Sequence, residues 1–298
     1  MNPIVEVNRL TKSYGNVMAV DDISFAIQPN KIYGLLGRNG AGKTTVMHMI
    51  TAQIFPTSGD IEVFGENPYE NNSALSKMCF IKESQKYPDS FQVVDVLEVA
   101  ESLFPQWDRE YAYELIETFG LPLKRKMKKL SRGMLSAAGI VVGLASRAPL
   151  TIFDEPYLGL DAVARGLFYE KLLEDYSAHP RTVVLSTHLI DEVSRILEYV
   201  IVIDRGKLIL NEDTEALRGR AFTVIGTAHN VEKFIRAREI IHQEGFGGLM
   251  SATVMDELSD KDRKEGEALG LEFSPVSLQQ LVVHLTKHTS DRKAGIAL

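Results

Sequence analysis

The residues with the clearest chemical potential stand in a glycine-rich stretch near the start of the chain. It has the pattern G-x-x-x-x-G-K-T and ends in Lys43 and Thr44. Glycines let the backbone curl so that several N–H groups point inward around phosphates. The lysine then brings positive charge to the β- and γ-phosphates, and the threonine hydroxyl can bind Mg²⁺. We therefore expect a nucleotide site formed by Gly37, Arg38, Asn39, Gly40, Ala41, Gly42, Lys43, Thr44 and Thr45.

A second set of residues that could do chemistry is the pair of carboxylates Asp154 and Glu155, which follows the short apolar run LTIF. A buried strand delivers charge to its carboxyl edge, where ligands collect in open α/β sheets. We expect Asp154 to hold Mg²⁺ through its water shell, and Glu155 to orient and deprotonate an attacking water. The alternative is that both acids only cap the turn at Pro156, and the glycine-rich motif upstream disfavours it.

A histidine, His188, follows the apolar run TVVLS and precedes a helix with Asp191 and Glu192 in its first turns. Acidic residues at a helix start are favoured by the helix dipole. The position of His188 at the same sheet edge predicts that it senses the γ-phosphate. The alternative is a histidine at a helix entry that is bonded only to the backbone.

Hydrophobic patterning predicts the elements that position these groups. The segment Lys31–Leu36 is a short apolar strand that runs directly into the glycine-rich turn, and Lys43–Ala52 follows as a helix. From Leu150 onward, apolar strands alternate with helices, which favours a largely parallel sheet with helices on its faces. Further strands are predicted at Ile4–Leu10, Asp22–Ile27 and Ile61–Phe64.

Two regions differ from this alternation. Between Val93 and Ser146 apolar residues recur at helical spacing, so we expect a helical insertion there. Past about Thr214 the chain starts afresh, and we expect a small α/β appendage. Its predicted elements are a strand at Phe222–Ile225, a helix at Val231–His242, a strand at Leu249–Met255 and a terminal helix with Leu278, Leu281, Val282 and Leu285 on one face.

Composition narrows the classes of function. The chain has 298 residues and a formal net charge of −7, so it lacks the basic footprint of a nucleic-acid binder. Its single cysteine, Cys79, fits a reducing compartment. The amino terminus has no signal-peptide pattern, and no apolar stretch approaches the roughly 20 residues of a membrane-spanning helix. We expect a protein that is not secreted and that acts from outside the bilayer.

Over about Ile4–Leu210 the chain resembles the ABC-type ATPases. Beyond the motifs above, the segment LSRGM at 130–134 is similar to the family signature LSGGQ, and Gly159-Leu-Asp161 resembles the family's D-loop. The resemblance implies an α/β fold of the P-loop NTPase class, with a mostly parallel core sheet, an antiparallel β subdomain and a helical subdomain at about 85–148. The ATP-binding cassette would then cover 1–213, and 214–298 would form an accessory α/β domain.

Further site residues follow from the resemblance alone. Ser131 and Gly133 would contact a γ-phosphate bound by a second copy, and Ser131 would also cap its helix. Asp161 would belong to the loop that crosses the dimer interface. Tyr14 would stack on adenine, with a plain core or surface tyrosine as the alternative.

The chain departs from the family pattern at several positions. Arg132 and Met134 replace the second glycine and the glutamine of the signature, and we expect function to survive because the serine and central glycine remain. Glu83 stands at the Q-loop position, where a carboxylate could touch Mg²⁺ or the attacking water, with Gln85 as the alternative. Ala162 replaces a common proline, which we interpret as neutral.

The resemblance implies a bacterial motor subunit that binds ATP and Mg²⁺ and hydrolyses ATP as a dimer, with Glu155, His188 and Lys43 as catalytic residues. It would drive substrate translocation, with export expected, by separate transmembrane subunits, and would lie on the cytoplasmic face of the membrane. Its second ATP-binding subunit could be identical or different, and we expect no nucleic-acid partner. The stretches ESQKYPDSF and FDEPYLGLDAVAR look similar to Ytr-type ATPases of Gram-positive bacteria.

Two other functions compete. A soluble ATP switch acting on ribosomes or DNA would more often carry two cassettes or long coiled-coil insertions, and neither is evident in this sequence. A different P-loop enzyme, such as a small-molecule kinase, is disfavoured by the signature-like segment and by His188.

Overall fold

A computed structural model describes residues 2–82, 85–217 and 219–294. These residues form two compact units. The first runs up to His188 and also includes Ile196–Leu208, and the second contains Leu189–Arg195 together with the chain from Ile209 onward. The chain passes from one unit to the other three times, and the predicted domain boundary after residue 213 lies close to the last passage, between Leu208 and Ile209. A separate accessory domain beyond it stays a prediction.

The first unit is built on two sheets. A three-stranded antiparallel sheet has the order β2-β1-β4, and a larger sheet has the order β5-β6-β7-β3-β8-β9. β9 begins in this unit and runs on into the second. The strands are β1 Val5–Tyr14, β2 Val17–Ile27, β3 Ile32–Leu36, β4 Ser58–Val63, β5 Met78–Ile81, β6 Leu150–Asp154, β7 Thr182–Thr187, β8 Tyr199–Asp204 and β9 Lys207–Asp213.

The central strands of the larger sheet are parallel and fully covered. β3 pairs in parallel with β7 and β8, and β6 pairs in parallel with β5 and β7. Every residue of β3, β6 and β7 is buried. Strands covered on both faces must be apolar almost throughout, which explains the continuous runs in the sequence. The predicted α/β fold with a mostly parallel core sheet is confirmed.

Helices cover this sheet and form the predicted helical stretch. Asp108 caps α4 by accepting a hydrogen bond from the Tyr111 N–H at 2.8 Å, and α5 buries an unbroken run from Ala137 to Ala145. The helices of the first unit are α1 Lys43–Ile50, α2 Asn72–Leu75, α3 Val93–Leu103, α4 Arg109–Thr118, α5 Arg132–Ala145 and α6 Ala162–Ala178, with a 3₁₀ turn at Met127–Lys129.

One apolar core joins the antiparallel sheet, α1 and the parallel sheet. Val7 and Ile23 from the first, Met47 from the helix, and Ile152 and Ile201 from the last belong to it. Burial of these side chains fixes α1 against the sheet, so the turn that precedes α1 is held at the end of β3.

The second unit is an antiparallel sheet with the order β11-β12-β10-β13. Phe222, Val224 and Val254 face a core that also contains Val231 and Ile235. The elements are α7 Ile190–Val193, α8 Thr214–Leu217, β10 Phe222–Thr227, α9 Ala228–Ile235, β11 Ile240–Phe246, β12 Leu249–Val254, α10 Asp260–Ala268, β13 Glu272–Pro275 and α11 Leu278–Ala294.

One predicted element of this unit is wrong. The helix expected at Val231–His242 ends at Ile235, and the strand β11 begins at Ile240. β11 pairs with β12 from Ile240↔Val254 to Phe246↔Leu249. The local helical pattern was overridden by this pairing, which satisfies the backbone groups of β11 within the sheet.

In the part of the chain that the structure describes, no helix is both long enough and apolar enough to cross a membrane.

Candidate functional site

The glycine-rich turn lies between β3 and α1, as predicted. Its glycines Gly37, Gly40 and Gly42 have φ values of 154°, 78° and 110°. A Cβ atom on Gly37 would stand 2.2 Å from the Ile203 carbonyl oxygen, and one on Gly42 would stand 2.5 Å from that of Ala19. At Gly37 and Gly42 both the backbone conformation and the lack of space therefore require glycine, and the chain curls tightly before the first turn of α1.

Lys43 lies inside this curl rather than on the surface. Its Nζ donates hydrogen bonds to the carbonyl oxygens of Gly37 at 2.9 Å and Arg38 at 3.3 Å. It also lies 3.7 Å from Glu155 Oε1. Burial lowers the pKa of Lys43, and the nearby carboxylates of Glu155 and Asp154 oppose that shift. A cation held in this way is already positioned for anionic phosphate oxygens.

Thr44 and Asp154 provide oxygen ligands that suit Mg²⁺. The Thr44 hydroxyl donates to Asp154 Oδ2 at 2.8 Å, which brings the first helix turn against the end of β6. Asp154 is buried, and its Oδ1 accepts no hydrogen bond from the described residues. A buried carboxylate oxygen without a donor is costly, and a hard cation coordinated by oxygen would satisfy it.

Glu155 is held in an unusual conformation directly after β6. Its φ is 50°, in the left-handed region that non-glycine residues rarely adopt. Its carboxylate Oε2 lies 2.8 Å from His188 Nδ1, while its Oε1 faces Lys43. Backbone strain of this kind persists where the surrounding structure determines it, and it is common at functional sites. The carboxylate is thereby directed toward Lys43 at the end of the glycine-rich turn.

Tyr157 is a member of this site that the sequence analysis missed. Its hydroxyl donates to Glu155 Oε2 in a short contact, and it lies 3.2 Å from His188 Nδ1. Burial raises the pKa of Tyr157, and the hydrogen bond to Glu155 adds to this shift. The only signal in the sequence was a tyrosine two residues after the glutamate.

A cavity of about 410 Å³ brings most of the predicted residues together. An adjoining cavity of about 420 Å³ is also lined by His188 and by residues 39–41 of the glycine-rich turn, and its lining includes Arg38 as well. The predicted residues that line the first cavity are Asn39, Gly40, Ala41, Gly42, Lys43, Thr44, Thr45, Asp154, Glu155 and His188.

Of the predicted residues that the structure describes, five lie outside the lining of these two cavities: Gly37, whose carbonyl oxygen accepts from Lys43, and four that are farther along the chain or before the turn. Tyr14 is 51% exposed at the end of β1, with Lys12 Nζ 5.2 Å from its ring centroid. Ser131 caps α5 by accepting from the Met134 N–H at 3.2 Å, and Asp161 caps α6 by accepting from the Ala164 N–H at 2.8 Å. Gly133 approaches Gly159 so closely that a Cβ would stand 2.5 Å from its carbonyl oxygen.

The Q-loop assignment is untested by the structure. Glu83 lies outside the described residues. The alternative, Gln85, lines a separate cavity of about 220 Å³ together with Lys82, Lys86 and Arg132.

Comparison with known proteins finds a family model and relatives that are all connected with transport and ATP binding. Residues 20–158 match the family model described as ABC transporter. The bacitracin transport ATP-binding protein BcrA of Bacillus licheniformis is 34% identical over 214 residues, which cover 70% of this chain and 69% of BcrA. The ABC transporter ATP-binding protein YtrB of Bacillus subtilis is 24% identical over 265 residues, covering 88% of this chain and 89% of YtrB.

Solved structures agree on the fold. An ATP-binding subunit of an ABC transporter superposes with a TM-score of 0.66 at 24% identity, over 72% of this chain and 91% of that one. A dimeric ATP-binding cassette in a post-hydrolysis state with ADP and phosphate superposes with a TM-score of 0.63 at 20% identity, over 70% of this chain and 98% of that one.

Proposed function

Because this chain belongs to the ABC transporter family and is an ATP-binding, ATP-hydrolysing motor subunit, we propose that it hydrolyses ATP at the cavity around Lys43. The observation that carries this assignment is the convergence of Lys43, Glu155 and His188. Glu155 lies between the other two, 3.7 Å from Lys43 Nζ and 2.8 Å from His188 Nδ1. A carboxylate base, a phosphate-binding cation and a histidine are thus held within one cavity.

The reaction we propose is in-line attack by water on the γ-phosphate. In such reactions positioning and electrostatic stabilisation supply nearly all of the catalysis. Lys43 and the N–H groups of residues 37–45 would bind the phosphates. Glu155 would accept the proton of the attacking water through its carboxylate, and His188 would contact the γ-phosphate.

Thr44 and Asp154 would hold Mg²⁺, through the hydroxyl of the first and the carboxylate of the second. When bound, the ion would neutralise charge on the β- and γ-phosphate oxygens. The donor set consists of hard oxygen atoms, and this supports Mg²⁺ over a softer metal.

We further propose that two such subunits close over two ATP molecules, with Ser131, Gly133 and Asp161 acting across the interface. Their position outside the Lys43 cavity supports this arrangement, because residues that serve the other subunit's nucleotide need not face their own. Tyr14 would stack on adenine from its exposed position. The names of BcrA and of a further relative, the Nod factor export ATP-binding protein I of Cupriavidus metallidurans, support an exporter that works with separate membrane subunits at the cytoplasmic face.

The decisive variant is Glu155→Gln, which keeps the shape of the side chain and removes its ability to accept a proton. We expect ATP affinity to be retained while turnover falls by at least about 100-fold, since general-base catalysis contributes on this scale. Fluorescent-nucleotide binding and phosphate release measured on one preparation test both parts. Turnover equal to that of the wild type would show that Glu155 is not the base.

The same variant can be used to test whether the chain has a membrane partner. A subunit that binds ATP without hydrolysing it remains in one nucleotide state, so its complex should also remain in one state. Affinity purification of tagged Glu155→Gln protein from gently solubilised native membranes should recover a polytopic membrane protein in near-equal amount. Recovery of ribosomal or DNA-bound proteins without a membrane protein would instead favour the soluble switch.

A further inference from the structure

The hydroxyl of Tyr157 connects three groups at the end of β6 and β7. Thr187 donates its hydroxyl hydrogen to Tyr157 Oη at 2.9 Å, and the His188 N–H donates to the same oxygen at 3.1 Å. The Tyr157 hydroxyl in turn donates to Glu155 Oε2. The tyrosine is only 3% exposed, so water has little access to compete for these bonds.

Counting donors and acceptors fixes the direction of each bond. A phenol has one hydrogen to donate and two lone pairs that accept. Thr187 and the His188 backbone occupy both lone pairs, which leaves the hydrogen directed to Glu155. An ionised carboxylate only accepts, so His188 Nδ1, at 2.8 Å from the same oxygen, carries its hydrogen toward Glu155. Glu155 therefore forms its hydrogen bond with Nδ1, and the other ring nitrogen, Nε2, is not bonded to Glu155.

We propose that Tyr157 is a positioning residue for ATP hydrolysis, which holds the Glu155 carboxylate and the His188 segment in one fixed relation. It occupies Oε2 of Glu155 and leaves Oε1, on the Lys43 side, for the attacking water. The inference rests on the roles proposed above for Glu155 and His188.

The mechanism of this effect is orientation rather than binding. Without the hydroxyl, Glu155 keeps its contact with His188 but loses its second donor on Oε2. The carboxylate would then rotate among several orientations, and only some of them present an oxygen to water. Misorientation of a reacting group lowers the rate of the chemical step without changing the affinity for the phosphates.

The test is Tyr157→Phe, which removes one oxygen atom and keeps the buried ring. We expect kcat for ATP to fall about tenfold, as for loss of one hydrogen bond to a charged group. KM, nucleotide affinity and melting temperature should remain within about twofold or a few degrees of the wild type. A kcat equal to that of the wild type, or a loss confined to KM, would overturn the proposal.

A matched control is Tyr176→Phe. The Tyr176 hydroxyl also donates to a carboxylate, Glu198 Oε2, at 2.6 Å, but Glu198 does not line the cavities around Lys43. The chemical change is therefore the same at a site without a proposed catalytic role. We expect its kcat to stay at the wild-type value, and an equal loss in both variants would assign the effect to general destabilisation.

A second variant keeps the proposal testable if Tyr157→Phe does not fold. Thr187→Val removes a donor that orients the Tyr157 hydroxyl, and Thr187→Ser keeps it. The valine variant should lower kcat with KM unchanged, and the serine variant should restore most of it; equal kcat values in the two would contradict the network. Glu155→Gln assayed in parallel separates the two failures, since full turnover there refutes the proposed base rather than the tyrosine.

Discussion

In the glycine-rich turn, the absence of a Cβ atom decides whether the backbone conformation is possible. Gly40 and Gly42 both have positive φ, at 78° and 110°. A Cβ on Gly40 would meet no atom within 4 Å, whereas on Gly42 it would stand 2.5 Å from the Ala19 carbonyl oxygen. The two positions therefore separate the cost of backbone conformation from the cost of a steric clash.

We predict that Gly40→Ala lowers the free energy of unfolding by about 1–2 kcal/mol, the cost of a left-handed alanine. Gly42→Ala should cost about 1–3 kcal/mol more, because the Ala19 backbone must also move. Denaturant unfolding followed by fluorescence of the single tryptophan, Trp107, reports on the first unit. Equal losses in the two variants would mean that the Ala19 contact relaxes without cost.

Much of the site could be predicted from the sequence because its residues occur at fixed spacings around strand ends. Lys43 and Thr44 begin the helix that follows β3, Asp154 ends β6 and Glu155 comes directly after it. The structure places all four on one cavity with His188. Tyr157 could not be predicted in this way. Its role depends on the left-handed turn at Glu155, which directs the chain back so that its hydroxyl reaches β7, and no spacing rule encodes that turn.

At the level of helices and strands, the fold could also be predicted only in part. The buried strands of the parallel sheet could be predicted because a short, continuous apolar run in a chain of this composition is typical of a strand that is covered on both faces. The strand β11 could not be predicted from apolar periodicity, because its signal in the sequence is the hairpin turn at Gly247-Gly248, between β11 and β12. Both glycines have positive φ, at 53° and 98°, as a tight hairpin turn requires.

Helix α6 is anchored by a buried ion cluster that no periodicity indicates. Asp175 on α6 pairs with Arg181 at 2.6 Å and with Arg147, which follows α5, at 3.4 Å. Arg147 also pairs with Asp108, the cap of α4, at 2.8 Å. The side chains of Asp175 and Arg181 are 1% and 5% exposed, so their charges are compensated by protein groups rather than by water.

We predict that Asp175→Asn destabilises the first unit by about 3–5 kcal/mol, because it leaves Arg181 buried without its partner charge. The control is Lys171→Met on the same helix, whose partners Glu114 and Glu174 are more than half exposed. Such surface pairs contribute about 0–1 kcal/mol. Denaturation midpoints of both variants give the comparison, and a small effect of Asp175→Asn would show that water reaches the cluster on relaxation.

For the whole molecule, the distribution of site residues is informative. The residues that we propose to bind phosphate and activate water line one cavity, while Ser131 and Gly133 stand at the start of α5, outside it. A helix N-terminus capped by serine offers N–H groups and a positive dipole end to an anion. If that anion is the γ-phosphate held by a second subunit, each site needs parts of two chains.

This arrangement makes a prediction that no single-chain mechanism shares. Lys43→Ala and Ser131→Arg should each abolish hydrolysis when assayed alone, because each leaves both sites of its dimer defective. In an equal mixture, half of the randomly paired dimers contain both variants, and each of these has one intact site of two. Mixing should therefore restore up to about a quarter of the wild-type rate. Continued inactivity, in a mixture shown by light scattering to contain ATP-bound dimers, would mean that Ser131 serves the nucleotide of its own chain.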